Sequence, residues 1–190
     1  MTVMNPIIIT RTYPWRDQVG DHEVVYRLMT AQDRDTILTL GREADDVDLA
    51  FLRFDITVPK HVDEWIENLE KGRTVSVLAE VDGHIAGYAN LHHNELTWSS
   101  HLGEVRVFVA ADRRGMGIGR RLISEMIHIA KEMRLDRVVC EIALPQRRVR
   151  DMFERLGFRS DAILNNWLRA KDGTKHDLVI MSRSLIELDG

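Results

Sequence analysis

Apolar positions recur along this chain with two periods, and each period predicts a type of element. Residues 75–81 and 85–91 alternate as strands do, and Asp82-Gly83 between them is a strong hairpin signal. Residues 23–28, 105–109 and 137–142 read as further strands. Two more lie near 158–166 and 177–183, with Asp172-Gly173 marking the turn region between them. Helical spacing appears first after Thr30 and Asp33, which offer a helix start ahead of an apolar face of Ile37, Leu38 and Leu40. Pro59 opens a second helix carrying Val62, Trp65, Ile66 and Leu69, which Gly72 ends. From about Gly117, the residues Ile118, Leu122, Ile123, Met126, Ile127 and Ala130 form one broad apolar face. A last helix over 146–156 carries Val149, Met152, Phe153 and Leu156, with Gly157 placed as its C-cap.

Two stretches fall outside this pattern. Residues 7–13 are expected to form an edge strand that Pro14-Trp15 ends, so residues 1–20 read as an arm and 21–190 as the domain proper. Residues 41–58 are irregular and acidic, with Glu43, Asp45, Asp46, Asp48 and Asp55. Strands surrounding helices in this order predict an α/β fold with a single mixed sheet.

Composition narrows the function classes. At 190 residues, 44% hydrophobic and 29% charged, the chain has the make-up of one ordinary soluble domain. A formal charge of −4 argues against a nucleic-acid partner, since such proteins are usually strongly basic. No apolar run approaches the roughly 20 residues that span a bilayer, and Ile7-Ile8-Ile9 is too short for a signal-peptide core. No membrane partner is expected. The single cysteine, Cys140, excludes an internal disulfide and suits a reducing compartment. A cytoplasmic location is the expectation.

The chemistry concentrates where the strand at 105–109 breaks into a basic, glycine-rich turn and enters a helix. Glycines there let the backbone approach a ligand, and the free N–H groups of the new helix point at it. A nucleotide P-loop would follow its last glycine with Lys-Ser/Thr, but Gly119 is followed by Arg120 and Arg121. A dinucleotide fingerprint counted from Gly115 would need glycine where Arg120 stands.

What fits is Arg114-Gly115-Met116-Gly117-Ile118-Gly119, an Arg/Gln-x-x-Gly-x-Gly/Ala pattern. It resembles motif A of the GCN5-related N-acetyltransferase (GNAT) superfamily, which grips the pyrophosphate of acetyl-CoA. The stretch from Gln146 through Phe153 and Gly157 to Phe158 is similar to the later Asn-x-x-Ala-x-x-Leu-Tyr-Glu-x-x-Gly-Phe element of that superfamily. The likeness extends over about residues 22–185, with specific motifs confined to 105–122 and 141–158. It implies a mostly antiparallel sheet, splayed between its fourth and fifth strands (105–109 and 137–142), with helices on both faces.

It also implies roles. Val107, Phe108 and Val109 would offer main-chain groups to the pantetheine arm, residues 114–120 would hold the pyrophosphate, and Gln146 would replace the usual asparagine contact to CoA. The N–H of Val109 would be the oxyanion donor. Among Arg113, Arg114, Arg120, Arg121, Arg147 and Arg148, clustered at the ends of two helices, Arg114 is the expected contact. The implied reaction is direct attack of an amine on the thioester carbonyl, with acetyl-CoA as cosubstrate.

Glu141 is the expected general base, since apolar Cys140 and Ile142 flank it on a central strand; Glu104 is the rival. Cys140 reads as a buried strand residue rather than a nucleophile, with no histidine near it in sequence. Phe153 departs from the pattern, because relatives often carry there a tyrosine that protonates the departing thiolate. A thiol of pKa about 8.5 needs that help less than an alkoxide does. The same departure keeps open a non-catalytic acyl-CoA sensor or assembly module. A third reading is a longer acyl group held in a tunnel near Phe108 and Phe153.

The acceptor region of the superfamily maps to residues 30–70 and 92–101. The acidic run suggests a small cationic amine, a protein N-terminus or a lysine, and an amino-acid-like acceptor also fits. Trp65 or Trp98 would stack on it. His92, His93 and His101 do not suggest a shared metal, because adjacent strand residues point to opposite faces. The apolar arm and the C-terminal hairpin are candidate homodimer surfaces.

Overall fold

The computed structural model describes residues 9–52, 54–93, 98–170 and 172–186. Along the chain run β1 (Trp15–Val19), β2 (His22–Leu28), α1 (Arg34–Glu43), α2 (Asp46–Leu49), α3 (Pro59–Glu70), β3 (Thr74–Val81) and β4 (His84–His92). Then come β5 (Leu102–Val109), α4 (Ile118–Glu132), β6 (Arg137–Ala143), α5 (Arg147–Arg155), β7 (Arg159–Arg169) and β8 (Lys175–Ser184). The strands form one sheet in the order β1-β2-β3-β4-β5-β6-β8-β7. All neighbours are antiparallel except β5 and β6. None of the described helices is long and apolar enough to cross a membrane.

The β5–β6 seam positions the site. It pairs only Leu102 with Arg137, Gly103 with Val138 and Glu104 with Val139. Past Glu104 the two strands part, so β5 keeps β4 on one side and, among the described residues, has an open edge on the other. This is the splay expected between 105–109 and 137–142.

Strand alternation divides the core in two. Val77 and Ala79 of β3, Ala89 and Leu91 of β4 and Val105 of β5 pack with Ile118, Leu122, Ile123 and Met126 of α4. On the opposite face Leu78, Tyr88 and Phe108 pack with Ile37 of α1 and with Val62 and Trp65 of α3. The Asp82-Gly83 turn closes its hairpin with both residues at positive φ, +53° and +80°. Asp33 anchors the entry to α1 by accepting two hydrogen bonds from Arg27, at 2.9 and 2.6 Å, and one from the Thr30 N–H at 2.8 Å. Burial alone would raise its carboxyl, but these bonds hold it below the usual carboxylate range.

The N-terminal strand differs from expectation. Residues 9–13 are not a strand, and Pro14-Trp15 begins one rather than ending it, as Trp15 stacks on Tyr26 of β2 at 4.3 Å. Residues 7 and 8 of the expected strand lie outside the described residues. The arm is tied to α4 through Glu125, a carboxylate only 2% exposed. It accepts hydrogen bonds from Tyr13 Oη, at 2.9 Å, and from the Arg11 guanidinium. Removing both donors, as Arg11→Ala with Tyr13→Phe, strands that charge in the core. The expected loss is about 3–5 kcal/mol, or roughly 6–20 °C in Tm. Thermal unfolding followed by circular dichroism checks it, and a shift under about 3 °C would count against the clamp.

Candidate active site

Past Val109 the chain makes one tight turn over Ala111–Arg113 and reaches Arg114. Gly115 and Gly117 then sit at φ +83° and +79°, where a Cβ would meet nothing within 4 Å. Their conformation, not crowding, requires glycine, and the space before the turn is open. Gly117 is the N-cap of α4 without a side-chain cap, so the first N–H groups of a 15-residue helix face that space. Gly119 is glycine for a different reason: a Cβ there would lie 3.4 Å from both Val109 Cγ2 and Met152 Sδ, drawing α4 close to β5 and α5. Ile118 is buried and Met116 half-buried, so these two offer the cradle main-chain groups only, while Arg120 is exposed. The turn fits a pyrophosphate.

The open edge of β5 follows from one hydrogen bond. The Ala110 N–H donates to Ala86 O at 2.9 Å, so the carbonyl across the same peptide, that of Val109, points away from β4. Alternation along the strand directs the main-chain groups of Val107 and Val109 to this edge and those of Phe108 to β4. Phe108 therefore does not offer main-chain bonds at the edge as expected. Its ring instead stacks on Tyr88 at 5.6 Å. Arg114 Nε–H donates to Val109 O at 3.2 Å, and its Nη2 pairs with Asp48 at 2.6 Å. One arginine thus joins the open edge to α2. Asp48 is thereby committed to the protein, and so is Asp55, which accepts from Thr57 Oγ1 at 2.5 Å.

Beside this edge, on the α1/α3 face, polar side chains run across the middle of the sheet. Register sets Ser76 opposite Asn90 and Asn90 opposite Arg106, with His92 opposite Glu104. Ser76 accepts from Trp65 Nε1 at 3.0 Å. Glu104 grips Arg106 at Nε, 2.7 Å, and at Nη2, 2.6 Å. A cleft partly open to solvent lies here, walled by Phe54, Trp65 and Tyr88 and floored by Asn90, Arg106 and Val107. The Arg106 guanidinium lies 4.9 Å over the Phe54 ring. Burial pushes the Tyr88 hydroxyl well above its ordinary range, with Arg106 opposing, so it stays a neutral wall. Asn90 Oδ1 and Arg106 Nη1 are shielded from solvent and have no hydrogen-bond partner among the described residues. Such atoms in a native cleft call for a partner, a water or a ligand group.

The expected catalytic residues separate. Glu104 lies next to Arg106 and holds it. Glu141 shares that face by register, since Glu104 opposes Val139 and both strands run two residues further. It is exposed, however, because its apolar flanks Cys140 and Ile142 point to the opposite, buried side. The apolar setting expected for Glu141 is not found. Burial pushes the Cys140 thiol far up, away from nucleophile behaviour. Gln146 sits just ahead of α5 and accepts the Ala143 N–H at 3.3 Å. Phe153 is 1% exposed and packs edge-on to Phe158 at 4.8 Å, in the α4 half of the core. Phe108 packs in the other half, so the two do not line one acyl tunnel.

Of the six arginines, Arg121 is drawn to Asp17 at 2.6 Å and Arg113 to Asp112 at 3.2 Å, whereas Arg120, Arg147 and Arg148 are exposed. Trp65 lines the cleft; Trp98 is 97% exposed, and residues 94–97 of its loop lie outside the described residues. Sequence reading missed Asn90 and Arg106. The available signal was polar residues interrupting the apolar runs of β4 and β5.

An open strand edge beside a glycine-built anion cradle, on a splayed sheet, defines a class of CoA-binding acyltransferases. Comparison with known proteins agrees. The model of the acetyltransferase (GNAT) family matches residues 42–158, and the chain belongs to that family, which uses acetyl-CoA. Among solved structures, a ribosomal-protein-alanine N-acetyltransferase from Brucella melitensis is similar with a TM-score of 0.74 and 25% identity, covering 84% of this chain and 99% of that one. A protein from Salmonella typhimurium solved with its cofactor acetyl-CoA has a TM-score of 0.75 at 23% identity, covering 88% and 96%. An N-acetyltransferase from Staphylococcus aureus has a TM-score of 0.75 at 19% identity, covering 86% and 99%. No curated protein matches the chain in sequence.

Proposed function

We propose that this protein is an acetyl-CoA-dependent N-acetyltransferase that acylates a primary amine by direct attack, with residues 21–190 as the domain and 1–20 as its arm. The observation that carries the reading is the unpaired edge of β5 running into the Gly115–Gly117 cradle. The pantetheine arm pairs with Val107 and Val109 as a short added strand. The pyrophosphate takes the N–H groups of residues 115–120 at the start of α4. Arg114 leaves Val109 O and Asp48 to meet the phosphates. Gln146 contacts CoA through the Nε2 end of its amide, since Oε1 is engaged with Ala143.

The amine nitrogen forms its bond to the thioester carbonyl carbon, the carbon–sulfur bond breaks, and the thiolate leaves. The Val109 N–H, on the open edge, stabilises the carbonyl oxygen as charge develops. The surplus amine proton passes to Glu141, directly or through water. Glu104, with two bonds to Arg106, serves instead to position that side chain.

Release of free CoA from acetyl-CoA tests the reading, measured against polyamines, aminoglycosides, amino acids and peptides with free N-termini or lysines. One class should exceed the amine-free hydrolysis rate at least about a hundredfold. Tight acetyl-CoA binding with no release across all classes would instead support a non-catalytic acyl-CoA sensor, the reading that Phe153 in place of tyrosine favours.

A further inference from the structure

We infer that the acceptor bound in the aromatic cleft is a small amino-acid-like zwitterion with an apolar side chain. Its anionic group takes Arg106 Nη1, its amine donates to Asn90 Oδ1, and its side chain lies among Phe54, Trp65 and Tyr88. This rests on the N-acetyltransferase reading and adds to it the chemical class of the acceptor.

Three observations converge on it. Arg106 is the single charged residue among the described residues lining the cleft. Glu104 fixes its guanidinium from the Nε and Nη2 side, and the third nitrogen, Nη1, is buried with no hydrogen-bond partner among the described residues. A buried guanidinium donor without an acceptor is costly, and a carboxylate is the partner whose geometry suits it. The second observation is Asn90, 5% exposed, whose Oδ1 is likewise without a partner among the described residues. An amide oxygen accepts and cannot donate, so its ligand must carry an N–H or O–H.

Register then sets the spacing. Asn90 and Arg106 are directly opposed on antiparallel strands, where Cα atoms lie about 4.5–5.5 Å apart and side chains on one face are neighbours. A donor and an anion required side by side describe an amine and an acid on the same or adjacent carbons. The aromatic walls favour an apolar side chain on the ligand.

The arrangement also serves the chemistry. A neutral amine that donates one N–H to Asn90 Oδ1 keeps its lone pair for the thioester, which the open edge at Val107 and Val109 holds alongside. A polycation would instead meet the Arg106 charge. The acidic segment that suggested such a substrate has Asp55 committed to Thr57.

Initial rates at saturating acetyl-CoA test the inference, with leucine, methionine and phenylalanine each compared with its α-amide and its decarboxylated amine. Rates are expressed per neutral amine, because the three forms differ in ammonium pKa. The free acids should exceed both counterparts in kcat/KM by about tenfold to a hundredfold, the range expected for one charge-assisted hydrogen bond. Arg106→Gln should shrink that preference to within about threefold of unity, and Arg106→Lys should restore part of it. Equal turnover of acids and decarboxylated amines by the unaltered protein would overturn the inference with no variant needed. So would a preference that survives Arg106→Gln. Turnover of peptides or polyamines alone would overturn this inference and leave the N-acetyltransferase reading standing. Silence toward every class, with acetyl-CoA bound, would remove both.

Discussion

Gly117→Val is expected to weaken acetyl-CoA binding about a hundredfold or more while the protein stays folded. At φ +79° a β-branched residue is strained by about 1–3 kcal/mol, and the turn relieves that strain by rotating its peptides. Those peptides carry the N–H groups that open α4, so relief at residue 117 turns donors away from the pyrophosphate. Losing two charge-assisted hydrogen bonds, at about 1.5–3 kcal/mol each, corresponds to a hundredfold or more in Kd. The side chain would also stand in the open space before the turn. The fold survives because nothing within 4 Å of a Cβ at 117 is displaced, and α4 is held by Ile118, Leu122, Ile123 and Met126. Titration calorimetry with acetyl-CoA and a thermal melt separate the effects. A Tm lowered by roughly 2–12 °C with near-complete loss of binding is the expected pair. Binding within threefold of the unaltered protein would move the pyrophosphate elsewhere.

What the sequence made legible was local. The cradle could be read because it depends on consecutive residues: a strand, two glycines that conformation demands, and an uncapped helix start. The Asp82-Gly83 hairpin and the Gly157 stop are legible for the same reason. The misreadings came where distant residues decide. Pro14 looked like the end of a strand until Trp15 found Tyr26, a partner in the next strand. Glu141 looked enclosed because Cys140 and Ile142 flank it, yet in a strand the flanking residues define the opposite face. The pairing of Arg114 with Asp48, which crosses from one side of the site to the other, was likewise beyond any local stretch. Asn90 and Arg106 went unnoticed because their meaning lies in a register, which no stretch of either strand encodes alone.

Glu141→Gln is expected to lower kcat by about 10²- to 10⁴-fold, the usual contribution of a positioned general base, with acetyl-CoA affinity unchanged. Glutamine keeps the size and the exposed position, so neither the β6–β8 pairing nor the cradle has reason to move. What disappears is the group that takes the proton as nitrogen becomes bonded to the acetyl carbon. The residual rate should then climb with pH, as hydroxide and the growing fraction of neutral amine make up for the missing carboxylate. Glu104→Gln should behave differently. It loosens Arg106 rather than removing a proton acceptor, so its main effect falls on KM for the amine, and the steeper pH dependence of the Glu141 variant is absent. If Glu104→Gln instead carried the large kcat loss and Glu141→Gln little, the two roles would be exchanged. The carboxylate that grips Arg106 would then be the base, and the cleft would bring acceptor and base together on β5 alone.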